Sequence, residues 1–195
     1  MKRIILILAL FAPLCLAAQK KETPEYRHDW RFGLAGYPLI DQLFFGYGHE
    51  PSYNPIDTDH VYGDYHGNCK MVGLFSAEYS INYTKHFTFA LSGYLNTVWT
   101  PMYDYKDKYS SMNLGLSLHL IPTARYVYYS GPAFSIYSSI GVGLIVGAEK
   151  KELFAFPTFQ LTPLGVTFGR KVFGFAEWSG GVSFFGGRAG IGYKF

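Results

Sequence analysis

Residues 87–99 read FTFALSGYLNTVW, and their side chains alternate in character from one position to the next. Most odd positions carry large apolar or aromatic groups, whereas most even positions carry small or polar ones. A period of two is the pattern of a β-strand whose two faces meet different surroundings. The same alternation recurs in residues 112–120, MNLGLSLHL, and again in residues 134–147. The chain is therefore predicted to be all-β.

Extending this pattern along the chain predicts eight strands. They lie near residues 30–38, 70–83, 86–99, 110–128, 132–148, 152–168, 171–182 and 187–195. Two of the turns, at 83–86 and 169–171, are short, whereas the connections after the first and third strands are long and polar. Short turns on one side and long loops on the other are typical of outer-membrane barrels. We expect a closed, antiparallel, up-and-down transmembrane β-barrel with both termini on the short-turn, periplasmic side.

Three prolines interrupt this map, because proline cannot donate a hydrogen bond to a strand ladder. Pro157 and Pro163 fall in the sixth strand, where the apolar residues change from odd positions up to 161 to even positions from 164 onward. A bulge near Thr162-Pro163 accounts for this change of phase. Pro122 falls in the fourth strand and leaves open an earlier end of that strand near Ile121.

The first 18 residues are predicted to be a signal peptide. Two basic residues precede an apolar run at 4–16, and two alanines at 17 and 18 provide the small residues of a cleavage site. The run is shorter than the roughly 20 residues of a membrane-spanning helix. The expected domains are the signal peptide at 1–18 and an outer-membrane β-barrel at 19–195.

Charge and cysteine content narrow the class of protein further. Of the 17 Lys and Arg residues, two lie in the predicted signal peptide, which leaves 15 against 14 Asp and Glu in the exported chain. No basic stripe offers a face for nucleic acid, so no nucleic-acid partner is expected. Cys15 does not follow the small residues of a lipoprotein anchor, and Cys69 alone remains after cleavage. No intramolecular disulfide is therefore expected.

The last strand ends the chain on an aromatic residue. It reads RAGIGYKF at 188–195, with Ala189, Ile191, Tyr193 and Phe195 on one face. This ending, with LTPLGVTFGRKVFGFAEWSGG at 161–181 before it, resembles the small outer-membrane β-barrel family, of the OmpA-like transmembrane or porin-family barrel type. The resemblance implies that outer-membrane lipid surrounds the chain. It also implies that Tyr193 and Phe195 form a signal for the barrel-assembly machinery during insertion. That family has no single activity.

Several charged residues share the parity of the polar face and are predicted to point into the barrel. These candidates for an interior polar network are Arg31, Glu78, His119, Arg125, Glu177 and Arg188. An eight-stranded barrel is just wide enough to be filled by its own side chains, and buried charges must be paired. We therefore interpret the set as a structural network. Glu177 and Arg188 on the last two strands are expected to meet, although Phe173 and Phe175 share the parity of Glu177 and make its orientation uncertain.

The long first loop, about 38–69, holds a second group of potential ligands. They are His49, Glu50, Asp57, Asp59, His60, Asp64, His66 and Cys69. Their spacing matches neither the paired ligands of zinc sites nor the alternating carboxylates of a calcium loop. We expect a solvated, tyrosine-rich recognition loop, with no metal and no cofactor.

The sequence favours a structural or interaction barrel that acts through its outer loops. Extracellular or periplasmic protein partners are possible, but the sequence does not identify them. The alternative is a narrow or gated pore for small solutes. A lipid-modifying enzyme is less favoured, because His119 and His86 are not followed by the Ser-Asn of the lipid A deacylase family. No catalytic residues are predicted.

Overall fold

The structure is a computed structural model that describes residues 24–38, 41, 65–66, 70–71, 73–103, 108–149 and 152–195. These residues form eight long strands, together with two-residue strands at Tyr65–His66 and Lys70–Met71. The long strands are β1 (His28–Tyr37), β2 (Leu74–Asn82), β3 (Phe87–Tyr103), β4 (Tyr109–Ser130), β5 (Phe134–Glu149), β6 (Glu152–Gly169), β7 (Val172–Gly181) and β8 (Phe185–Lys194).

Each long strand is antiparallel to the next strand in the chain, and β8 returns to pair with β1. The sheet therefore closes on itself. Phe32 of β1, for example, lies opposite Ile191 of β8 on one side and opposite Ala77 of β2 on the other. Both two-residue strands lie against β3. The predicted fold class, all-β with a closed eight-stranded antiparallel barrel, is confirmed. No helix in the described part of the chain is long and apolar enough to cross a membrane.

The alternation read from the sequence is an alternation of exposure. On β4, Leu116, Leu118 and Leu120 are about half exposed, whereas Ser117 and His119 between them are fully buried. Side chains of a strand point alternately to its two faces, so the exposed series covers the outside of the barrel and the buried series fills it. The interior consists mainly of polar and charged groups.

The predicted bulge in the sixth strand is confirmed. The pairing of β6 with β7 shifts between Leu161 and Leu164, with Pro163 inside the irregularity. Both leucines are consequently on the outside, although one has an odd number and the other an even one. Pro157 lies beyond the end of this ladder, which begins at Gln160, so no β7 partner needs its missing N–H.

The suggested end of the fourth strand near Ile121 is wrong. The strand continues through Pro122, which lies opposite Leu91 of β3, and ends at Ser130. On the other side, the ladder with β5 is interrupted at positions 121 and 122. Proline has no N–H to donate, so the gap in this ladder falls where its hydrogen bond would be missing, and the strand itself continues.

The short turns predicted at 83–86 and 169–171 are confirmed. In the first, the Thr84 hydroxyl accepts hydrogen bonds from the backbone N–H groups of His86 (3.3 Å) and Phe87 (3.0 Å). In the second, Gly169 adopts a positive φ of 123°, a conformation that side chains with a Cβ disfavour. One end of the barrel carries these two turns, the turn at 131–133, the start of β1 and the end of β8. It is called here the short-turn end.

Candidate functional site

Five of the six residues predicted for the interior network lie together inside the barrel. They come from five strands and are at most 6% exposed: Arg31 (β1), Glu78 (β2), Arg125 (β4), Glu177 (β7) and Arg188 (β8). The sixth, His119, lies in a separate cluster. Because the strands surround a narrow barrel axis, inward-pointing side chains that are far apart in sequence meet at the same height along that axis.

Glu78 is the centre of this network. Its Oε1 accepts a hydrogen bond from Nη2 of Arg125, and its Oε2 lies 2.8 Å from Nη1 of Arg188. Nε of Arg31 is 3.5 Å from Oε1. The hydroxyls of Ser80 and Ser92 donate to the same carboxylate at 3.1 and 2.9 Å. One carboxylate thus holds three guanidinium groups in place.

Glu177 is the second carboxylate of the layer. It lies directly opposite Arg188 in the β7–β8 ladder, and its Oε2 is 3.2 Å from Nη1 of that arginine. The Tyr137 hydroxyl donates to its Oε1 at 2.6 Å, while Arg31 and Arg125 lie 3.6 and 4.0 Å away. A buried charge is tolerated where partners of opposite charge and hydrogen bonds surround it, and both are present here.

A third carboxylate, Asp29, completes the charge balance and was missed by the sequence analysis. Nε of Arg31 donates to its Oδ1 at 3.0 Å, and the Asn82 side-chain amide donates to its Oδ2 at 3.3 Å. Three guanidinium groups therefore face three carboxylates. Asp29 has the same parity as Arg31, so the alternation used for the other residues could have placed it inside.

Aromatic rings separate the charged groups and pack against them. The Arg31 guanidinium lies 5.2 Å from the ring centres of Tyr137 and Phe173, and that of Arg188 lies 5.0 Å from Phe175. Arginine stacks favourably on aromatic faces at these distances. Phe173 and Phe175 thus point inward together with Glu177, and the large rings fill space that small side chains would leave open.

Little space remains inside this layer. The cavity between Glu78, Tyr94, Glu177 and Arg188 has a volume of about 10 Å³, which is close to the size of one water molecule. On the short-turn side, a wider recess of about 770 Å³ ends at Arg31, Arg125 and other buried residues. Among the described residues, the charged layer therefore closes the barrel.

His119 belongs to a second buried cluster, beyond Tyr94 and towards the other end of the barrel. Its Nε2 lies 3.3 Å from both Oδ1 of Asp41 and the hydroxyl of Ser117. Ser117 and the amide of Asn96 donate to the other carboxylate oxygen of Asp41 at 2.8 and 2.7 Å. Asp41 follows β1 in the chain and is fully buried, so its position could not be read from strand parity.

Serine, histidine and aspartate thus meet, but not as a catalytic triad. In a triad the acid orients one ring nitrogen and the serine hydroxyl donates to the other. Here Ser117 donates to Asp41, both contact the same nitrogen of His119, and Nδ1 has no hydrogen-bond partner among the described residues. The three side chains are also fully buried. The other histidine considered for catalysis, His86, has its Nδ1 2.9 Å from the Val127 carbonyl oxygen.

The two residues predicted as an assembly signal lie on the outside at the short-turn end. Tyr193 and Phe195 are 44% and 48% exposed. Phe195 exchanges two backbone hydrogen bonds with His28, of 3.1 and 2.9 Å, which join the ends of the barrel sheet. A hydrogen bond with the Tyr193 hydroxyl raises the pKa of Lys171 in the neighbouring turn.

The remaining candidates fall largely outside the described residues. This is so for the signal peptide at 1–18 and for the side chains of the potential ligands in the first loop, from His49 to Cys69. Within the ranges that are described, no group of three histidine, cysteine or acidic side chains could hold a metal ion.

Comparison with models of known protein families gives no match for this chain. Comparison with curated proteins gives none either. The functional argument therefore depends on the geometry of the barrel itself.

Proposed function

We propose that the protein is an integral outer-membrane barrel that acts as a structural or interaction scaffold through its loops. The observation that carries this proposal is the composition of the outer wall. Among residues whose side chains are described, none of the eight strands exposes a Lys, Arg, Asp or Glu. Soluble proteins rarely expose apolar patches beyond a few hundred Å², so a wall of this composition supports a lipid environment.

The exposed side chains also form zones along the barrel axis. Aliphatic residues such as Leu118, Ile140 and Ile191 lie in the middle of their strands. Exposed aromatic residues near the short-turn end include Trp30, Tyr83, Tyr128, Phe168, Tyr193 and Phe195. Those near the other end are Tyr37, Tyr109, Trp178 and Phe185. An apolar band between two aromatic girdles is typical of outer-membrane barrels, whose rings lie at the two lipid–water interfaces.

The interior supports a scaffold rather than a pore. The layer of three arginines and three carboxylates leaves about 10 Å³ of free volume between Glu78 and Arg188. Barrels with an aqueous channel have about 16–18 strands, twice the number found here. A filled interior leaves the loops and the barrel ends as the surfaces for partners, which here are extracellular or periplasmic proteins of unidentified kind.

Location is tested by lipid contact. The full chain is folded into vesicles whose acyl chains carry bromine, and the fluorescence of Trp30, Trp99 and Trp178 is compared with that in unbrominated vesicles. All three residues lie on the outer wall, so strong quenching is expected. Fluorescence that is unaffected by bromine, or protein that remains in the aqueous phase, would overturn the proposal.

Transport is tested separately. Planar bilayers that contain the folded chain are expected to show no steady single-channel current at moderate voltage. Steady currents that scale with the amount of protein would instead favour the narrow or gated pore. Bilayers exposed to detergent alone provide the control.

A further inference from the structure

The recess at the short-turn end has the size and lining of a ligand site. Its volume of about 770 Å³ lies within the range of small-molecule pockets. Its wall includes residues of β1 to β6 and β8, and it is open to solvent at the short turns. Since the charged layer closes its inner end, a molecule that enters the recess can bind there but not pass through.

Positive charge dominates the lining. Three cations surround the opening: Lys85 and Arg170 are exposed in two short turns, and Lys194 is half-buried at the end of β8. Glu25 is the acidic residue among the lining groups near this opening. A cleft lined by one sign of charge concentrates ligands of the opposite sign.

The buried end of the recess does not cancel this excess. Arg31 and Arg125 lie there. Together with Arg188 beneath them, they are balanced by the three carboxylates of Asp29, Glu78 and Glu177. The net positive charge of the recess therefore comes from its opening, where side chains can move to meet a ligand.

The rest of the wall offers neutral groups that suit an oxyanion. The hydroxyls of Thr88, Ser135 and Thr167 line the recess. Thr88 donates to Oδ1 of Asn82 at 2.7 Å, whereas Ser135 and Thr167 hydrogen-bond to each other, which leaves one of these two hydroxyls with a hydrogen to donate elsewhere. A hydroxyl can donate a hydrogen bond to a phosphate or carboxylate oxygen, and lysine and arginine add charge-assisted ones. Few large apolar side chains take part.

We propose that this recess binds a small, multiply charged oxyanion, of the phosphate or polycarboxylate class, that enters from the short-turn end. Lys85, Arg170 and Lys194 supply the attraction, and the Ser135–Thr167 pair supplies a neutral donor. The proposal requires the folded barrel but does not depend on where the barrel is located.

The test is titration calorimetry on the full chain folded in neutral detergent, at constant ionic strength, with inorganic phosphate and citrate as separate probes. The double variant Lys85→Gln/Arg170→Gln removes two charges from the opening. Its matched control, Lys70→Gln/Lys108→Gln, removes two exposed charges near the other end of the barrel.

We expect saturable binding of at least one probe, weakened about fivefold or more in the first variant, because that variant removes two of the three positive charges at the opening. The control should bind as the native chain does, and added NaCl should weaken binding. Phosphate alone, citrate alone or both would identify the preferred oxyanion. Absence of saturable binding of either probe, or equal losses in the two variants, would overturn the proposal.

Discussion

Arg188 bridges the two glutamates of the barrel interior: its Nη1 lies 2.8 Å from Oε2 of Glu78 and 3.2 Å from Oε2 of Glu177. Glu177 is its direct neighbour in the β7–β8 ladder, whereas Glu78 lies on β2, across β1. A single guanidinium thus connects strands from both ends of the chain. The interior network therefore contributes to closing the barrel as well as to filling it.

Replacing Glu78 by Gln should destabilise the fold strongly. The change keeps the size of the side chain but leaves three buried guanidinium groups with one carboxylate fewer, and breaking a buried ion pair costs about 3–5 kcal/mol. Urea unfolding in micelles, followed by tryptophan fluorescence, measures the loss. The control Glu25→Gln alters an exposed carboxylate and should change the unfolding free energy by less than about 0.5 kcal/mol. Equal stabilities would refute the central role of Glu78.

The pair Glu177 and Arg188 should be energetically coupled. Each single variant, Glu177→Gln or Arg188→Met, leaves a buried charge with fewer partners, so part of its cost is relieved when both are changed. A double-mutant cycle is expected to give a coupling energy of about 1–3 kcal/mol. Strictly additive effects would mean that the two side chains do not interact in the folded protein.

Two strand glycines should differ sharply in their tolerance of alanine. A Cβ at Gly143 would overlap the Leu120 carbonyl oxygen and lie 2.8 Å from Cα of Ile121, whereas at Gly174 the nearest atom would be 3.8 Å away. Gly143→Ala should cost about 1–3 kcal/mol through overpacking. Gly174→Ala should be neutral or stabilising by about 0.5 kcal/mol, because alanine restricts the unfolded chain. Thermal unfolding of the two variants side by side measures this, and the reverse order would contradict the close packing at Gly143.

Strand parity carries most of what the sequence predicts here. Alternation of apolar and polar residues places Glu78, Arg125 and the other charged residues inside, because a strand has two faces. It does not decide between rings and charges of equal parity, so the joint inward position of Phe173 and Glu177 needed the structure. Pro122 left an earlier end of the fourth strand open, because the ladders on the two sides of that strand cannot be seen in one sequence.

Asp41 shows the other limit. It lies beyond the end of β1, where the alternation of a strand no longer predicts which way a side chain points. Its contacts with Asn96, Ser117 and His119 are visible only in the folded barrel. A partner that binds the loops cannot be identified from the sequence for the same reason, because recognition depends on how loop side chains are arranged in space rather than on their spacing along the chain. Alternation along the chain therefore predicts which residues form the wall of the barrel better than it predicts the contacts among the side chains inside it.

The most direct test of the central proposal places a charge on the outer wall. Leu118, at the middle of β4, and Tyr128, near its short-turn end, are 41% and 59% exposed. If lipid surrounds the wall, Leu118→Arg should lower the unfolding free energy in lipid vesicles by about 2–4 kcal/mol, and Tyr128→Arg by about 0–1 kcal/mol. A wall that faces water would accept arginine at both positions with little effect. Equal, small changes in the unfolding free energies of the two variants would therefore contradict the assignment of the barrel to the membrane.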